Sequence, residues 1–274
     1  MLMAIIIMGG VAFFFSTVLV IADKKLRVEV DPRIEEIAAL LPQANCGGCG
    51  FPGCKGYATA IVMNGAPVGK CAPSGAEANE AIGRIMGVEV SERVRRVVRV
   101  HCRGAESVAA RKALYVGIPS CQAVSMVQSG DKLCDWGCLG YGDCAKACPF
   151  GGITLGENGL PQVNEEVCTG CGLCVASCPK KILQLHGVDE RVIVACRSED
   201  PPKQAKSSCA NACIGCGICA RACPEAVEVK NHLACVKDPG GFSDECIAKL
   251  EKCPTGAIGP VDQGKAEALR AEGA

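Results

Sequence analysis

A long apolar segment opens the chain. Residues 1–22 contain no charged side chain, and Asp23, Lys24 and Lys25 follow directly. A helix of about 20 apolar residues is long enough to cross a hydrocarbon core of about 30 Å. A cleaved signal peptide would instead need a charged start, a shorter apolar core and a small-residue cleavage site. The pattern therefore predicts a retained membrane anchor over residues 1–23.

The charges beside this segment predict its orientation. Lys24, Lys25 and Arg27 are the cations nearest to it, and they lie only on its C-terminal side. Positively charged flanks stay on the cytoplasmic side of a membrane. We therefore expect a single-pass protein of the cytoplasmic (inner) membrane whose remaining residues face the cytoplasm. Cysteines in that reducing compartment stay as thiols or bind metal.

Helical patterns follow the anchor. Asp31 is a predicted N-cap, and Pro32 suits the first helical position. The apolar side chains that follow at helical spacing are Ile34, Ile37 and Leu41. We expect this helix to end near Pro42, and we expect two more helices, one directly after Cys54 and one over residues 77–90.

The pattern changes at residue 91. Arginines are interleaved with valines over Ser91–Arg103, which predicts a strand with a basic edge or a helix with a basic face. Such a row of charges can form a docking patch for an acidic ferredoxin, but it can equally be an ordinary solvated face. The sequence leaves both interpretations open. At the other end of the chain, Gln263–Ala274 is predicted to be a frayed helical tail.

Cysteine spacing dominates the rest of the chain. Four Cys-Pro pairs recur at intervals of 30, 45 and 30 residues. They are Cys148-Pro149, Cys178-Pro179, Cys223-Pro224 and Cys253-Pro254. Three of the pairs close runs of four cysteines, and the second and third runs follow the bacterial ferredoxin pattern C-x2-C-x2-C-x3-C-P. In that pattern the fourth cysteine ligates the other cluster of a pair. The spacing predicts two tandem ferredoxin modules that conduct electrons through 4Fe-4S clusters.

Exchange of the fourth cysteine between paired motifs assigns the ligands. In the first module, one predicted set is Cys134, Cys138, Cys144 and Cys178, and the other is Cys148, Cys168, Cys171 and Cys174. In the second module, the predicted set is Cys213, Cys216, Cys219 and Cys253. The first run has the longer spacing C-x3-C-x5-C, so we expect its glycine-rich loop to bulge. Structural zinc is the alternative, because paired C-x2-C motifs also hold that metal, but zinc explains the repeated Cys-Pro endings poorly.

The fourth repeat is incomplete. Counting back from Cys253 by the template reaches three positions, of which only one is a cysteine. They are Ser243, Cys246 and Lys249. A fourth ferredoxin-type cluster would need Cys223 and Cys246 together with a substitute ligand. The candidates for that substitute are Cys235 and Cys209. The alternative is that Cys223, Cys235 and Cys246 are buried free thiols, which pack as small apolar groups.

Another cysteine set lies near the N-terminus. The loop LPQANCGGCGFPGC and one later cysteine have the spacing C-x2-C-x4-C-x16-C, which is enough for one further cluster. The four residues are Cys46, Cys49, Cys54 and Cys71. A helix that begins near Cys54 would direct its N-terminal amides toward the negatively charged cluster. Zinc is again the alternative, because four thiolates do not by themselves select the metal.

Four cysteines lie outside every motif. They are Cys102, Cys121, Cys196 and Cys209. Their number permits one extra cluster between the modules, although their spacing is not close. Together the ligand sets predict about four 4Fe-4S clusters, or about 16 iron atoms, with cysteines left over for more.

The composition excludes several other functions. Cysteine is abundant, with 23 among 274 residues, while the formal net charge is zero and aromatic residues make up only 4%. Zero net charge implies no general affinity for polyanions, and few aromatics argue against nucleic-acid stacking surfaces. No G-x-G-x-x-G follows a strand pattern and no Walker sequence occurs, so a nucleotide site has no support. The three histidines are scattered, and we predict no catalytic residue.

Several segments carry a family resemblance. They are the apolar start that runs into VEVDPRIEEI, the loop LPQANCGGCGFPGC and the segment CDWGCLGYGDCAKACPF. Together they resemble the B subunit of the Rnf complex, the ion-translocating ferredoxin:NAD+ oxidoreductase of bacteria and some archaea. The likeness extends from the anchor to about residue 260. The spacing C-x3-C-x5-C-x3-C-P looks like this family's own version of the ferredoxin motif. The departures at Ser243 and Lys249 affect only the fourth ferredoxin-type cluster.

The resemblance implies a membrane-tethered subunit that accepts electrons from reduced soluble ferredoxin. It would pass them to other membrane subunits and to subunits that handle flavins and NAD, and it would complete no reaction alone. Two alternatives remain: a polyferredoxin of a membrane hydrogenase or another oxidoreductase, and a structural zinc protein. No nucleic-acid partner is expected.

The expected architecture is α+β, with a single N-terminal transmembrane helix, a small 4Fe-4S domain and two tandem bacterial ferredoxin-like modules. The predicted divisions are an anchor over 1–23, an N-terminal 4Fe-4S domain over 30–90, a linker region over 91–130, a first module over 131–186, a linker over 187–207, a second module over 208–262 and a tail over 263–274.

Overall fold

The structure, a computed structural model, describes residues 2–26, 31–90 and 94–261. This part of the chain contains ten helices and eight short strands, which agrees with the predicted mixture of helix and strand. Three parts of the sequence-based predictions lie outside the described residues. They are Arg27, the start of the arginine-valine segment at 91–93, and the tail over 263–274.

The predicted anchor is a single helix, α1 (Leu2–Leu26). Residues Ile6–Lys25 are long and apolar enough to cross a membrane. The apolar side chains described in this helix are largely exposed, as shown by Phe13 at 75% and Leu19 at 68%. The Thr17 hydroxyl donates a hydrogen bond of 2.7 Å to the Phe13 carbonyl one turn earlier, so it needs no partner outside the helix.

Three helices form the N-terminal domain, as the sequence predicts. They are α2 (Pro32–Leu40), α3 (Gly53–Asn64) and α4 (Ala76–Met86). Asp31 caps α2, because its carboxylate accepts a hydrogen bond of 3.0 Å from the Arg33 amide. The helices enclose a small core that consists of Ile34, Ile37, Leu41, Tyr57, Ile61 and Ile82 together with two cysteines.

The first ferredoxin module consists of two antiparallel strand pairs and three short helices. The strands are β1 (Arg96–Val100), β2 (Ile153–Leu155), β3 (Pro161–Val163) and β4 (Leu183–Gly187), and the helices are α5 (Cys121–Met126), α6 (Asp143–Lys146) and α7 (Leu173–Ser177). Strand β1 pairs with β4, with Val98 opposite Leu185, and β2 pairs with β3. The outer pair thus joins the start and the end of the module.

The second module repeats this layout. Its strands are β5 (Val192–Val194), β6 (Val227–Lys230), β7 (Leu233–Val236) and β8 (Ile258–Pro260), and its helices are α8 (Pro202–Ser208), α9 (Ile218–Ala222) and α10 (Asp244–Leu250). Strand β5 pairs with β8, and β6 pairs with β7. Both modules therefore have an outer strand pair that encloses an inner hairpin.

Two outer strands lie in segments that the sequence-based division treats as linkers. Strand β1 lies within the predicted linker region 91–130, and β5 lies within the predicted linker 187–207. Each of these strands pairs with a strand that follows the cysteine motifs, β1 with β4 and β5 with β8. The cysteine motifs could not reveal this, because the first strand of each module stands well before its first motif.

The arginine-valine segment is a strand whose described arginines bind the chain itself. Arg96 donates a hydrogen bond of 2.7 Å to the Leu185 carbonyl. Arg99 is buried and pairs with Glu165, while Arg103 donates to the Gly256 carbonyl at 2.8 Å. These contacts stabilise the fold and confirm the strand interpretation, while Arg95 and Arg96 remain exposed at the edge of the strand.

The two modules pack directly on each other through His101. Its Nδ1 donates a hydrogen bond of 2.7 Å to the Val194 carbonyl at the end of β5. Its Nε2 lies 2.8 Å from Nε2 of His186 in β4. One buried side chain thus joins both outer strand pairs, and burial, with His186 beside it, lowers the pKa of His101 to about 4. No spacing or motif in the sequence indicates this pairing.

Candidate metal centres

The structure gathers 20 of the 23 cysteines into five groups of four. Three groups line separate cavities, and two are identified by thiols that influence one another's pKa. Three cysteines remain outside these groups, namely Cys223, Cys235 and Cys246. Every group draws residues from at least two parts of the chain, as a cluster ligated by distant cysteines requires.

The N-terminal site brings together the four cysteines predicted for it, Cys46, Cys49, Cys54 and Cys71. Cys54 lies in the first turn of α3, and its amide donates a hydrogen bond of 2.8 Å to the Asn45 side chain. The pKa of Cys71 is raised to about 11, chiefly by burial, and the thiols of Cys49, Cys54 and Cys46 contribute to this rise. The site therefore lies at the start of a helix of 12 residues, where backbone amides favour negative charge.

The second site of module 1 also contains the predicted residues, Cys148, Cys168, Cys171 and Cys174. Burial is the largest cause that raises the pKa of Cys174 to about 12, and the nearby thiols of Cys168, Cys171, Cys144 and Cys148 contribute in that order. Cys174 lies in α7 and belongs to the buried core of the module. Cys148 thus lies near the three thiols of the second motif, where the predicted exchange of fourth cysteines requires it to be.

The first site of module 1 differs from the predicted set. Cys138, Cys144 and Cys178 line one cavity together with Cys121, and Cys134 does not line it. The reason is visible when the ferredoxin template is counted back from Cys148. It reaches position 144, then 141, then 138. Position 141 is a tyrosine, so the second ligand of this motif is missing and Cys134 lies outside the motif.

Three cluster loops share one backbone pattern, which places Tyr141 at the missing ligand position. In each loop, glycines stand two and four residues after the first cysteine, with φ between 61° and 82°. They are Gly140 and Gly142, Gly170 and Gly172, and Gly215 and Gly217. This left-handed conformation suits glycine. Tyr141 therefore stands where the other two loops have Cys171 and Cys216.

Cys121 is held beside this loop by Asp143. The Asp143 carboxylate accepts hydrogen bonds from the Ser120 hydroxyl at 2.8 Å and from the Gln122 amide at 3.1 Å. These two residues flank Cys121 at the start of α5. The Tyr141 hydroxyl meanwhile donates to Asp131 at 3.1 Å. The structure thus places a thiol from outside the motif in the cavity that is lined by Cys138, Cys144 and Cys178.

The module 2 site brings together the predicted residues Cys213, Cys216, Cys219 and Cys253, which line one cavity. The Cys213 sulfur accepts a hydrogen bond of 3.4 Å from the Ala234 amide. Burial alone would raise the pKa of Cys253, but hydrogen bonds from Ile258, Thr255 and Ala257 together lower it. These donors favour a thiolate at this position.

The incomplete fourth repeat forms a helix instead of a cluster loop. Ser243 caps α10, because its hydroxyl accepts a hydrogen bond of 3.2 Å from the Cys246 amide. The positions of the two loop glycines are taken by Glu245 and Ile247. Cys246 forms a disulfide with Cys223 across a Cα separation of 5.7 Å. The alternative of three free thiols is therefore wrong for these two residues, and of the three only Cys235 is free.

Neither candidate substitute completes a set in this region. Cys235 lies in β7 and contacts the Leu233 carbonyl through its own sulfur, and Cys209 lines the cavity between the modules. Within the described residues, Cys223 and Cys246 are therefore not joined by two further thiols, and the structure does not support a fourth ferredoxin-type cluster.

The remaining four cysteines line one cavity between the modules. They are Cys102, Cys134, Cys196 and Cys209, and we name this group the junction site. The set that the sequence leaves outside every motif shares three of these residues. It differs in one, because it has Cys121 in place of Cys134. The spacing could have shown this, because Cys134-x3-Cys138 matches Cys209-x3-Cys213 in the second module.

The environment of the thiols fits iron-sulfur clusters better than single ions. Most of the grouped thiols are buried or half-buried. Backbone amides donate hydrogen bonds to several of the sulfurs, and such hydrogen bonds tune the reduction potentials of iron-sulfur clusters. Across the described ranges, no three His, Cys, Asp or Glu side chains form a group that could hold a metal ion. A single zinc ion would need all four sulfurs at about 2.3 Å from one point, whereas three of the five groups line cavities.

Three family models match parts of the chain. One, described as "Putative Fe-S cluster", matches residues 41–73. Two, each described as "4Fe-4S dicluster domain", match residues 133–182 and 167–228. These ranges cover the N-terminal site and most of the cysteines of both modules.

Curated relatives match nearly the whole chain. The B subunit of the Na+-translocating ferredoxin:NAD+ oxidoreductase complex of Acetobacterium woodii is 43% identical over 96% of this chain and 79% of the relative. The B subunit of the proton-translocating ferredoxin:NAD+ oxidoreductase complex of Clostridium ljungdahlii is 38% identical over 96% of this chain and 93% of the relative. The B subunit of the ion-translocating oxidoreductase complex of Methanosarcina acetivorans is 39% identical over 75% of this chain and 78% of the relative.

Proposed function

Because the chain belongs to the family of B subunits of ion-translocating ferredoxin:NAD+ oxidoreductase complexes, we propose that it relays electrons within such a complex through protein-bound 4Fe-4S clusters. It is thus an electron-transfer subunit of an oxidoreductase that moves ions across a membrane. Its partners are other subunits of the complex.

The observation that carries this proposal is the gathering of buried thiols into groups of four within two ferredoxin-type modules. Four groups have the ligands of known cluster motifs or a single replacement. They are the N-terminal site, the first site of module 1 (Cys121, Cys138, Cys144 and Cys178), the second site of module 1 (Cys148, Cys168, Cys171 and Cys174) and the module 2 site (Cys213, Cys216, Cys219 and Cys253). Each would hold one 4Fe-4S cluster, which takes up and releases single electrons when bound.

The chain's own residues supply the environment that such clusters require. Burial around Cys138 and Cys174 raises the pKa of each thiol to about 12, so both stay protonated at neutral pH until iron replaces the proton. Amides such as that of Ala234 donate hydrogen bonds to sulfur, which offsets the negative charge of a bound cluster. Burial in addition keeps water away from the sulfurs.

We propose that electrons enter from reduced soluble ferredoxin and leave to subunits that handle flavins and NAD. The described part of the chain offers thiol sites but no recognised dinucleotide motif, and other domains normally supply the chemistry of those cofactors. The chain alone is therefore expected to accept electrons without reducing NAD+.

This proposal is tested on the full-length chain purified anaerobically in detergent. Iron and acid-labile sulfide are expected at about 16 or more atoms per chain, as four cubanes contain. Reduced ferredoxin should bleach the visible absorbance of the clusters, with no NAD+ reduction until the other subunits are added. Fewer than about 12 iron atoms, or stoichiometric zinc, would contradict the cluster assignment. Rapid NAD+ reduction by the chain alone would contradict the relay.

We further propose that α1 crosses the cytoplasmic membrane once and that the rest of the chain faces the cytoplasm. Lys24 and Lys25 at the end of the helix support this orientation. A reporter fused after Ala274 should behave as cytoplasmic, and protease added to intact cells should leave the protein uncut. Cleavage by external protease would reverse the orientation.

A further inference from the structure

The junction site is built from equivalent positions of the two modules. Cys102 follows the outer strand β1 and Cys196 follows the outer strand β5. The segments around them are also alike, since Val100-His101-Cys102-Arg103 corresponds to Val194-Ala195-Cys196-Arg197. Each strand pairs with the last strand of its own module, so the two cysteines have the same place in the fold.

The hydrogen bonds to these two sulfurs are also equivalent. Each sulfur accepts one bond from the amide two residues later and one from the amide of the first motif cysteine of its module. The bonds are Gly104 N to Cys102 Sγ at 3.4 Å, Cys138 N to Cys102 Sγ at 3.4 Å, Ser198 N to Cys196 Sγ at 3.4 Å and Cys213 N to Cys196 Sγ at 3.3 Å. Such donors stabilise thiolate ligands rather than neutral thiols.

The other two cysteines are a second equivalent pair. Cys134 stands four residues before Cys138, and Cys209 stands four residues before Cys213. Sulfurs from both modules meet at Gly104, where a methyl group would lie 3.4 Å from the Sγ atoms of both Cys102 and Cys209. Each module therefore contributes two thiols to one cavity.

A buried cation lies beside these thiols. Lys132 is only 1% exposed, and its ammonium group donates a hydrogen bond of 3.0 Å to the Gly104 carbonyl. No carboxylate of the described residues forms a salt bridge with it. A buried ammonium group is costly unless a negative charge lies nearby. Four thiolates with a bound cluster would provide that charge, and Lys132 lines the same cavity as the four cysteines.

We propose that the junction site holds a fifth 4Fe-4S cluster, ligated by Cys102 and Cys134 of module 1 and by Cys196 and Cys209 of module 2. This inference rests on the proposed function, because it assumes that the chain is loaded with iron and sulfide. With its opening to solvent included, the junction cavity measures about 380 Å³, compared with about 400 Å³ at the module 2 site and 370 Å³ at the first site of module 1. The space is therefore of the size found at the ferredoxin-type sites.

The position of the junction site gives the fifth cluster a role. The amide of Cys138, a ligand at the first site of module 1, bonds to Cys102, and the amide of Cys213, a ligand at the module 2 site, bonds to Cys196. The junction cluster would therefore lie directly between the clusters of the two modules. Without it, electrons would have to cross the whole module interface in one step.

Iron analysis of single and double variants tests the inference. The unmodified full-length chain should contain about 20 iron atoms, and Cys102→Ala and Cys196→Ala should each contain about 16. The double variant should also contain about 16, because both residues serve one cluster although they belong to different modules. Cys235→Ala is the matched control and should keep about 20, since Cys235 belongs to none of the five groups.

A measurement on the unmodified chain keeps the test valid if a variant fails to fold. Native mass spectrometry should show the added mass of five 4Fe-4S clusters. A mass for four clusters, a zinc ion at the junction or an additive loss of eight iron atoms in the double variant would overturn the inference. Failure of the proposed function looks different, because the four motif-based sites would then also lack iron.

Discussion

At the scale of single residues, the first site of module 1 is a ferredoxin loop with one ligand moved. The loop keeps the glycines at positions 140 and 142 with left-handed φ, so its backbone follows the same path as the complete loops. Only the second cysteine is replaced, by Tyr141, and Cys121 lines the same cavity from the start of α5. The longer spacing of this motif is therefore not a bulged loop, because Cys134 belongs elsewhere.

This interpretation predicts a loss and a rescue. Cys121→Ala should remove about four iron atoms per chain, because its site would keep only three thiolates. Adding Tyr141→Cys should restore them, because position 141 corresponds to the second ligand of the complete loops. Iron, sulfide and visible absorbance per chain provide the measurement.

Cys235→Ala again serves as a control, with no expected change in iron content. If Cys121→Ala keeps all its iron while Cys134→Ala empties the site of Cys138, Cys144 and Cys178, the ligand set drawn from spacing alone would be correct instead.

At the scale of elements, local signals in the sequence predict local structure well. The Asp31 cap, the helix after Cys54 and three of the cluster loops depend on neighbouring residues, so the sequence alone is enough to find them. The outer strand pairs cannot be found in this way, because Val98 and its partner Leu185 are far apart in sequence. The junction site is hard to find for the same reason, since its four thiols come from four separate segments of the chain.

The fourth repeat shows how few residues separate a cluster loop from a helix. Glu245 and Ile247 replace the glycines that the loop requires, and Ser243 replaces the first ligand. A serine at this place caps a helix, and Asp244 and Glu245 in the first turn favour its N-terminal end. The ion pair between Lys249 and Glu245, at 2.7 Å, lies along the same helix.

The helix predicts the effect of removing its cap. Ser243→Ala should destabilise module 2 by about 0.5–2 kcal/mol, the usual effect of losing an N-cap, while the iron content stays unchanged. Urea unfolding followed by the visible absorbance of the clusters provides the measurement, and Ser243→Asp should retain most of the stability as an alternative cap. Loss of iron in Ser243→Ala would mean that the segment around Ser243 also helps to hold a cluster.

At the scale of the whole molecule, the contacts between sites arrange them in one file. Gly48, in the loop of the N-terminal site, lies against Cys171 of the second site of module 1. The two sites of module 1 share a buried core that contains Cys144 and Cys174. The junction site then contacts the first site of module 1 and the module 2 site through the amides of Cys138 and Cys213. Contacts of this kind would let electrons move from each site to the next.

The contact at Gly48 gives this arrangement a sharp test. A methyl group at Gly48 would lie 2.9 Å from the Cys171 carbonyl oxygen and 3.1 Å from its Cβ, so Gly48→Ala should force the N-terminal domain away from module 1. Overpacking of this kind costs about 1–3 kcal/mol. We expect unchanged iron content, weaker protection of the loop against amide hydrogen exchange, and ferredoxin-dependent NAD+ reduction by the assembled complex that falls several-fold.

Gly75→Ala is the matched control, because it lies in the same domain, and a methyl group there would meet no atom within 4 Å. It should keep both the hydrogen-exchange protection and the activity of the unmodified complex. If Gly48→Ala loses protection but retains full activity, electrons enter the modules without passing the N-terminal site, and the single file would have to begin at the second site of module 1. The comparison thus separates a structural contact from a step on the electron path.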